Sequence, residues 1–120
     1  MITSFAVKDF ADKWLKIFTD VPPDADRLFE EEFGADCEKL EFVMDLGRSF
    51  DRAYSKGEPL NTPEALAEVI DEVNNVELLG SAIFSNWRVV THWLAYESGF
   101  SERNKSWFLM ALTRLNELVY

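Results

Sequence analysis

A polar stripe on one long predicted helix carries the residues whose types and spacing are best suited to chemistry. The sequence predicts a helix from Leu78 to Glu97, and at about 100° per residue four polar side chains share its narrow polar face. They are Ser81, Ser85, Arg88 and His92. Arg88 and His92 are four residues apart, so they are neighbours on a helix. Because a guanidinium binds anions and an imidazole exchanges protons near neutral pH, one interpretation is an anion-binding cleft in which the small serines leave room for a ligand.

The same stripe also has a structural interpretation, which we favour from the sequence. Small serines allow another helix to approach closely, Arg88 then pairs with Asp45 or Asp51, and His92 hydrogen-bonds to a carbonyl or carboxylate. A bulky charged group is seldom buried without a partner, and the chain has 22 acidic residues that could supply one. The two interpretations differ in whether Arg88 and His92 line an open pocket.

Other catalytic and metal-binding arrangements are weak in this sequence. A single histidine and a single cysteine cannot build the common types of zinc site. The run Leu79-Gly80-Ser81 is too short to be a glycine-rich phosphate loop. Ser85 and His92 lie on one helix with side chains that lean the same way, which is a poor geometry for a nucleophile and its base. We therefore predict no catalytic residue, no metal and no cofactor, and an enzyme is the less favoured class.

Cys37 is the only cysteine, which excludes an internal disulfide and favours a reducing compartment. The neighbouring charges of Asp36, Glu38 and Glu41 would raise the pKa of its thiol and suppress the thiolate. We predict that Cys37 is a small core residue rather than a nucleophile.

The formal net charge of −10 is concentrated in two segments. Residues 24–41 carry eight acidic and two basic side chains, and residues 64–77 carry five acidic side chains and no basic one. Proteins that bind nucleic acid or anionic membranes need a basic surface. Direct binding of nucleic acid and attraction to a membrane surface are therefore not expected.

Two groups of carboxylates are candidates for a partner-binding acidic surface. They are Glu30, Glu31, Glu32, Glu64, Glu68, Asp71 and Glu72. Glu64, Glu68 and Glu72 are spaced four residues apart, where like charges destabilise a helix by about 0.2–0.5 kcal/mol per pair. One explanation is solubility alone, and the other is attraction to a basic protein surface that normally holds nucleic acid. The four tryptophans could anchor such an interface, although each also lies at a position typical of a core.

Amphipathic helices are expected to position these residues, because apolar side chains recur at three- and four-residue steps and sustained strand-like alternation is absent. The predicted helical stretches are a first one from Thr3 or Ser4 to Pro22, a second from Asp24 to Leu40 with Gly34 as a candidate break, a third from about Met44 to Tyr54, a fourth from Pro63 to Asn74, a fifth from Leu78 to Glu97, and a sixth from Ser101 or Glu102 to Val119. Whether the second and third are one bent helix stays open. Thr62 before Pro63 is the clearest helix start in the chain.

The fold class that follows is all-α, a single-domain irregular bundle of five or six helices over residues 1–120. The apolar arc of the Leu78–Glu97 helix is too wide for a surface helix, so this helix is expected to be central. The N-terminal residues lack a basic stretch followed by an apolar run, and no apolar stretch approaches the roughly 20 residues of a membrane span. A cytoplasmic protein is the expectation.

Residues 81–93 read Ser-Ala-Ile-Phe-Ser-Asn-Trp-Arg-Val-Val-Thr-His-Trp. This segment resembles a small bacterial family with the pattern Ser-Ala-Ile-x-Ser-x-Trp-Arg-x-x-x-His-Trp and no assigned activity. That family is similarly acidic before the pattern and ends in a Trp-Phe-x-x-Ala-Leu helix, here Trp107 to Leu112. The resemblance covers roughly the C-terminal half of the chain and, more loosely, residues 36–38. It implies a bacterial or mobile-element protein and brings no activity with it.

The sequence thus leads to two functional hypotheses from different classes. The favoured one is an acidic helical protein–protein interaction module, such as an inhibitor or regulator of a basic, nucleic-acid-handling protein in a bacterial or mobile-element context. The alternative is a small enzyme or anionic-ligand-binding domain that uses the stripe of Ser81, Ser85, Arg88 and His92.

Overall fold

Six helical segments, α1 to α6, make up most of the described chain. The computed structural model describes residues 3–42, 46–55, 57, 59–93 and 97–119. The segments are α1, Ser4–Thr19; α2, residues 25–39, in which a π-helical turn Phe29–Phe33 joins Ala25–Leu28 to Gly34–Lys39; α3, Leu46–Tyr54; α4, Pro63–Val69, extended by the 3₁₀ turn Ile70–Glu72; α5, Val76–Arg88, continued by the π-helical turn Val89–Trp93; and α6, Glu102–Leu118. These residues contain no β-strand, and the all-α prediction is confirmed.

Short polar side chains begin the helices, as the sequence predicts. The Thr3 hydroxyl accepts a hydrogen bond of 3.1 Å from a backbone N–H in the first turn of α1. Thr62 does the same for α4 at 3.2 Å, with Pro63 in the first helical position. Asn75, which we expected only to end α4, caps the next helix. α5 therefore begins at Val76, two residues earlier than predicted.

The second and third predicted stretches are separate helices. Gly34 does not break α2, because it lies inside a helical turn with the indole of Trp87 packed directly over its Cα. The chain turns after α2, where Glu41 takes a left-handed φ of 60°. The predicted start of the third helix at Met44 lies outside the described residues, and α3 is described from Leu46.

One hydrophobic core joins the helices, with α1 packed along α6 and α3 along α5. Its centre is a cluster of aromatic rings from α1, α2 and α6, which are Phe18, Phe29, Phe33 and Phe108. The radius of gyration of 13.1 Å agrees with about 13.6 Å for one compact domain of this length.

α5 is the central helix, as its wide apolar arc predicts. Six consecutive positions, residues 79–84, are buried, whereas a surface helix would expose a residue at least once per turn. The helix packs against α2, α3 and α6. It therefore carries both the predicted polar stripe and much of the core.

Candidate functional site

The four residues of the predicted polar stripe on α5 are buried to different extents. Ser81 is buried, with 1% of its surface exposed, and Ser85 is half-buried, whereas Arg88 and His92 are exposed. Ser81 lines a cavity of about 500 Å³ and Ser85 lines a different cavity of about 160 Å³. Arg88 and His92 line neither cavity. Neither of these two cavities therefore brings the four residues together.

The predicted ion pair of Arg88 is also not formed with the described acid. Asp51 is exposed, and within the described ranges no ion pair or hydrogen bond engages the Arg88 guanidinium. The other predicted partner, Asp45, lies outside those ranges. His92 shares a 2.9 Å hydrogen bond between its Nδ1 and the Thr91 hydroxyl, and no carbonyl or carboxylate of the described residues bonds its ring.

The π-helical turn Val89–Trp93 explains why the predicted face ends. A π-helical turn takes more residues than the 3.6 of an α-helix, so side chains beyond it rotate away from the face that a constant 100° per residue assigns them. Trp93 falls in the predicted apolar arc and is nevertheless 77% exposed. Of the four tryptophans, Trp14 and Trp107 are buried and Trp87 is half-buried, so the core-like position expected for Trp93 is wrong.

The smaller cavity, called here the Asn86 cavity, lies between α3, α5, α6 and the loop before α4. Its floor is formed by buried apolar side chains, among them Phe50, Leu60 and Trp107. The Trp107 indole N–H donates a 2.9 Å hydrogen bond to the Leu60 carbonyl, which fixes the loop against α6. Polar groups reach the cavity from Ser85 and Asn86 of α5, and from the exposed residues Asp51 of α3 and Asn61 of the loop.

Asn86 was missed in the sequence analysis, although the sequence contains a signal for it. At about 100° per residue Asn86 falls inside the apolar arc of α5, where a polar side chain is unusual. The structure buries it, with only 7% of its surface exposed. The loop residue Asn61 had no comparable signal, because its place beside α5 depends on the packing of Trp107 on Leu60.

Two of the three carboxylates in the predicted α2 cluster pair with bases of the same chain. The predicted cluster comprises Glu30, Glu31 and Glu32, of which Glu30 and Glu31 are exposed. Arg27 contacts Asp24 at 2.7 Å and Glu31 at 3.1 Å, and hydrogen bonds to these two carboxylates raise the pKa of Arg27. Lys13 of α1 lies 3.5 Å from Glu32. This cluster therefore presents less free negative charge than its sequence suggests.

The acidic residues of α4 have a different environment. The α4 acidic face consists of Glu64, Glu68, Asp71 and Glu72, and all four are exposed. In the described part of the chain no lysine or arginine forms an ion pair with Glu64, Glu68 or Asp71. A nearby base, Arg114, donates instead to the backbone carbonyls of Val73 at 2.9 Å and Asp71 at 3.2 Å, and pairs with Glu117.

Cys37 is fully buried, as predicted. The pKa of its thiol is raised well above the ordinary range, first by burial and then by the charges of Asp36 and Glu38. Burial outweighs the neighbouring charges on which the sequence argument depended, and Glu41 does not contribute. Among the described residues, no group of three or more His, Cys, Asp and Glu side chains is arranged to hold a metal ion.

We expect native Cys37 to resist alkylation by iodoacetamide and to react only when the chain unfolds. The unfolded thiol loses its proton at lower pH than the native thiol. The contribution of Cys37 to the free energy of unfolding is therefore fully present below about pH 8.5–9, and it falls by about 1.4 kcal/mol per pH unit as the pH rises further. Urea unfolding at several pH values checks this slope. Cys37→Ala should lack it, and an identical slope in both proteins would contradict the burial of an ionisable thiol.

Fold and surface together define a small all-α domain with an exposed acidic face on α4 and a polar-lined cavity beside α5. No helix in the described ranges is long and apolar enough to cross a membrane. Comparison of the chain with models of protein families, with curated proteins and with solved structures finds no match. The resemblance of residues 81–93 to a bacterial family therefore stays a prediction.

Proposed function

We propose that the protein is an acidic helical interaction module whose α4 acidic face binds a basic surface of another protein. The observation that supports this is the contrast between the two acidic groups. Lys13 and Arg27 pair with two of the three α2 carboxylates, Glu32 and Glu31, whereas none of the exposed carboxylates of Glu64, Glu68 and Asp71 pairs with a described basic side chain.

The spacing of these carboxylates places like charges close together on α4, and a basic partner would reduce their repulsion. Glu64 and Glu68 are four residues apart, where like charges destabilise a helix by about 0.2–0.5 kcal/mol per pair. A solubilising surface needs no such repulsive spacing. Lysines or arginines of a partner would relieve the repulsion and gain charge-assisted hydrogen bonds.

The face is also held in place before binding. Leu66 and Val69 bury the opposite side of α4 in the core. Arg114 of α6 donates to two backbone carbonyls at the end of the helix. Because α4 is already ordered, binding would lose less conformational entropy than the ordering of a flexible acidic segment.

The partner that fits this face is a basic protein, and one that normally holds nucleic acid would present the required charge. Carboxylates on a fixed helix would take the place of phosphates and speed association through long-range attraction. An inhibitor or regulator acting in this way agrees with the bacterial or mobile-element context that the resemblance of residues 81–93 implies.

Neutralising the face is expected to weaken binding at least about tenfold, which corresponds to about 1.4 kcal/mol. The variant is Glu64→Gln, Glu68→Gln and Asp71→Asn in one chain, which keeps the side-chain shapes. A partner captured by the wild-type protein from nuclease-treated bacterial lysate is identified by mass spectrometry and purified. Its Kd is then measured by calorimetry from about 50 to about 500 mM salt, over which exposed charges become screened.

The matched control is Asp9→Asn, Asp20→Asn and Glu38→Gln, which changes the net charge equally at exposed positions outside the face. We expect its Kd to change less than about threefold, because the distant charges contribute only long-range attraction. DNA should compete with the wild-type protein for the partner. Equal weakening by both triple variants, or an affinity that does not depend on salt, would refute the proposal.

A further inference from the structure

We propose that the Asn86 cavity binds a small organic cation, namely a primary amine with a compact apolar body about the size of a benzene ring. The inference begins with Asn86, whose side chain is 93% buried on helix α5 and lines the cavity. It is independent of the proposed function, because none of the cavity residues belongs to the α4 acidic face.

The Asn86 amide has no hydrogen-bond partner among the described residues. Every described side-chain N or O atom that is completely enclosed has a hydrogen-bond partner. Because the Asn86 amide has no such partner, its polar atoms must remain accessible. The cavity that Asn86 lines gives its amide this access. Because no described protein group bonds this amide, its N–H and C=O groups are free to bond a polar group of a ligand in the cavity.

The size and floor of the cavity limit the ligand. Its volume is about 160 Å³, and a cavity of about 150 Å³ can hold a molecule of benzene. The inner wall is apolar, with Phe50, Leu60 and Trp107 all buried. Exposed Asp51 and Asn61 lie at the opening. A ligand would therefore place its apolar body inward and its polar group towards Asp51 and Asn86.

The polar groups of the lining favour a positive charge. Asp51 supplies a carboxylate, Asn61 and Asn86 supply amide oxygens, and Ser85 supplies a hydroxyl, so each can accept a hydrogen bond. No lysine, arginine or histidine is among the described lining residues. Asp51 forms no ion pair within the described part of the chain. An ammonium group offers three donors to these acceptors, whereas an anion would be repelled by Asp51.

The site is also largely preformed. Trp107 holds the loop at Leu60 by a 2.9 Å hydrogen bond, and Ser85 and Asn86 project from the central helix. Small-molecule sites commonly combine such a rigid apolar wall with a few fixed polar groups. The net charge of −10 would further raise the local concentration of small cations.

Three probes of nearly the same shape test the charge requirement: benzylamine, benzyl alcohol and benzoate. Binding to the full chain is followed by NMR at the side-chain amide of Asn86 and the indole N–H of Trp107. We expect saturable shifts with benzylamine and a Kd on the order of 1 mM, which is typical of a probe this small. Benzyl alcohol should bind at least about tenfold more weakly, and benzoate should not bind.

Variants separate this site from general attraction to an acidic protein. Asp51→Asn should weaken benzylamine binding about tenfold, and Asn86→Leu should abolish it without lowering Tm, because an apolar side chain of similar size suits a buried position. The control Glu68→Gln, on the α4 acidic face, should leave the Kd unchanged.

The proposal is overturned if benzylamine gives no saturable shift at Asn86 or Trp107 up to about 20 mM, a concentration well above the expected Kd. It is also overturned if benzoate binds as well as benzylamine, or if Glu68→Gln weakens binding as much as Asp51→Asn. Should Asn86→Leu fail to fold, the amide is structural and the exposed Asp51→Asn variant decides the charge requirement alone.

Discussion

Phe108→Ala is expected to lower the free energy of unfolding by about 3–5 kcal/mol, the range for a buried phenylalanine replaced by alanine. Phe108 has no exposed surface and lies on α6 at the centre of the aromatic cluster. Its ring centroid is 5.4 Å from that of Phe18, 5.3 Å from Phe29 and 5.5 Å from Phe33. The truncation would remove contacts with α1 and α2 together and leave a cavity that the surrounding rings cannot fill without moving.

Urea unfolding followed by circular dichroism measures this loss. The matched control is Phe5→Ala, which removes the same atoms from a ring that is 74% exposed and should change stability by less than about 0.5 kcal/mol. Domains are stable by only about 5–15 kcal/mol, so the Phe108 variant should be partly unfolded at moderate temperature. If the two variants lost similar stability, Phe108 would not be the centre of the core.

The fold could be predicted from sequence where local rules decide it. The cap of α4 by Thr62 before Pro63 forms as expected, and Thr3, one of the two candidates with Ser4, caps α1. Apolar spacing predicts the remaining helices because each must bury one side. The central place of α5 follows from the same spacing, since an apolar arc that wide cannot face water.

Local rules fail where packing between distant residues decides the structure. Glycine at position 34 is typical of a helix break, yet the residue is helical, and the indole of Trp87 occupies the space that a side chain there would need. The π-helical turn Val89–Trp93 follows from no local sequence rule, and Trp93 within it is exposed although regular helical spacing assigns it to the apolar face. Constant helical spacing therefore does not place Trp93, and the proposed binding role of Ser81, Ser85, Arg88 and His92 stays a prediction.

In the candidate sites too, features that depend on local spacing could be predicted from sequence, and contacts between distant residues could not. Charge counts identify both acidic segments, and the pairing of Arg27 with Asp24 and Glu31 follows from a spacing of three and four residues. The pairing of Lys13 with Glu32 joins two helices and could not be read from spacing. Only the structure therefore shows that Glu31 and Glu32 of α2 are paired, whereas no described lysine or arginine pairs with Glu64, Glu68 or Asp71 of α4.

Gly34→Ala is expected to destabilise the protein by about 1–3 kcal/mol, the range for overpacking a core. Helix propensity alone predicts the opposite sign, since alanine is about 1 kcal/mol better than glycine within a helix. A Cβ at position 34 would lie 2.7 Å from two ring carbons of Trp87. That ring cannot move freely, because its N–H donates a 2.7 Å hydrogen bond to the carbonyl of Phe29 and its face stacks on Phe84.

A double-mutant cycle with Trp87→Ala separates the clash from any other effect of the new methyl group. With the indole removed, Gly34→Ala should become neutral or stabilising by up to about 1 kcal/mol, because only its helix propensity remains. The two substitutions should thus be coupled by at least about 1 kcal/mol in urea unfolding. The same loss of stability in both backgrounds would contradict the packing of Trp87 over Gly34. A change of sign would show that this contact between α2 and α5, rather than any backbone requirement, is what demands glycine inside a helix.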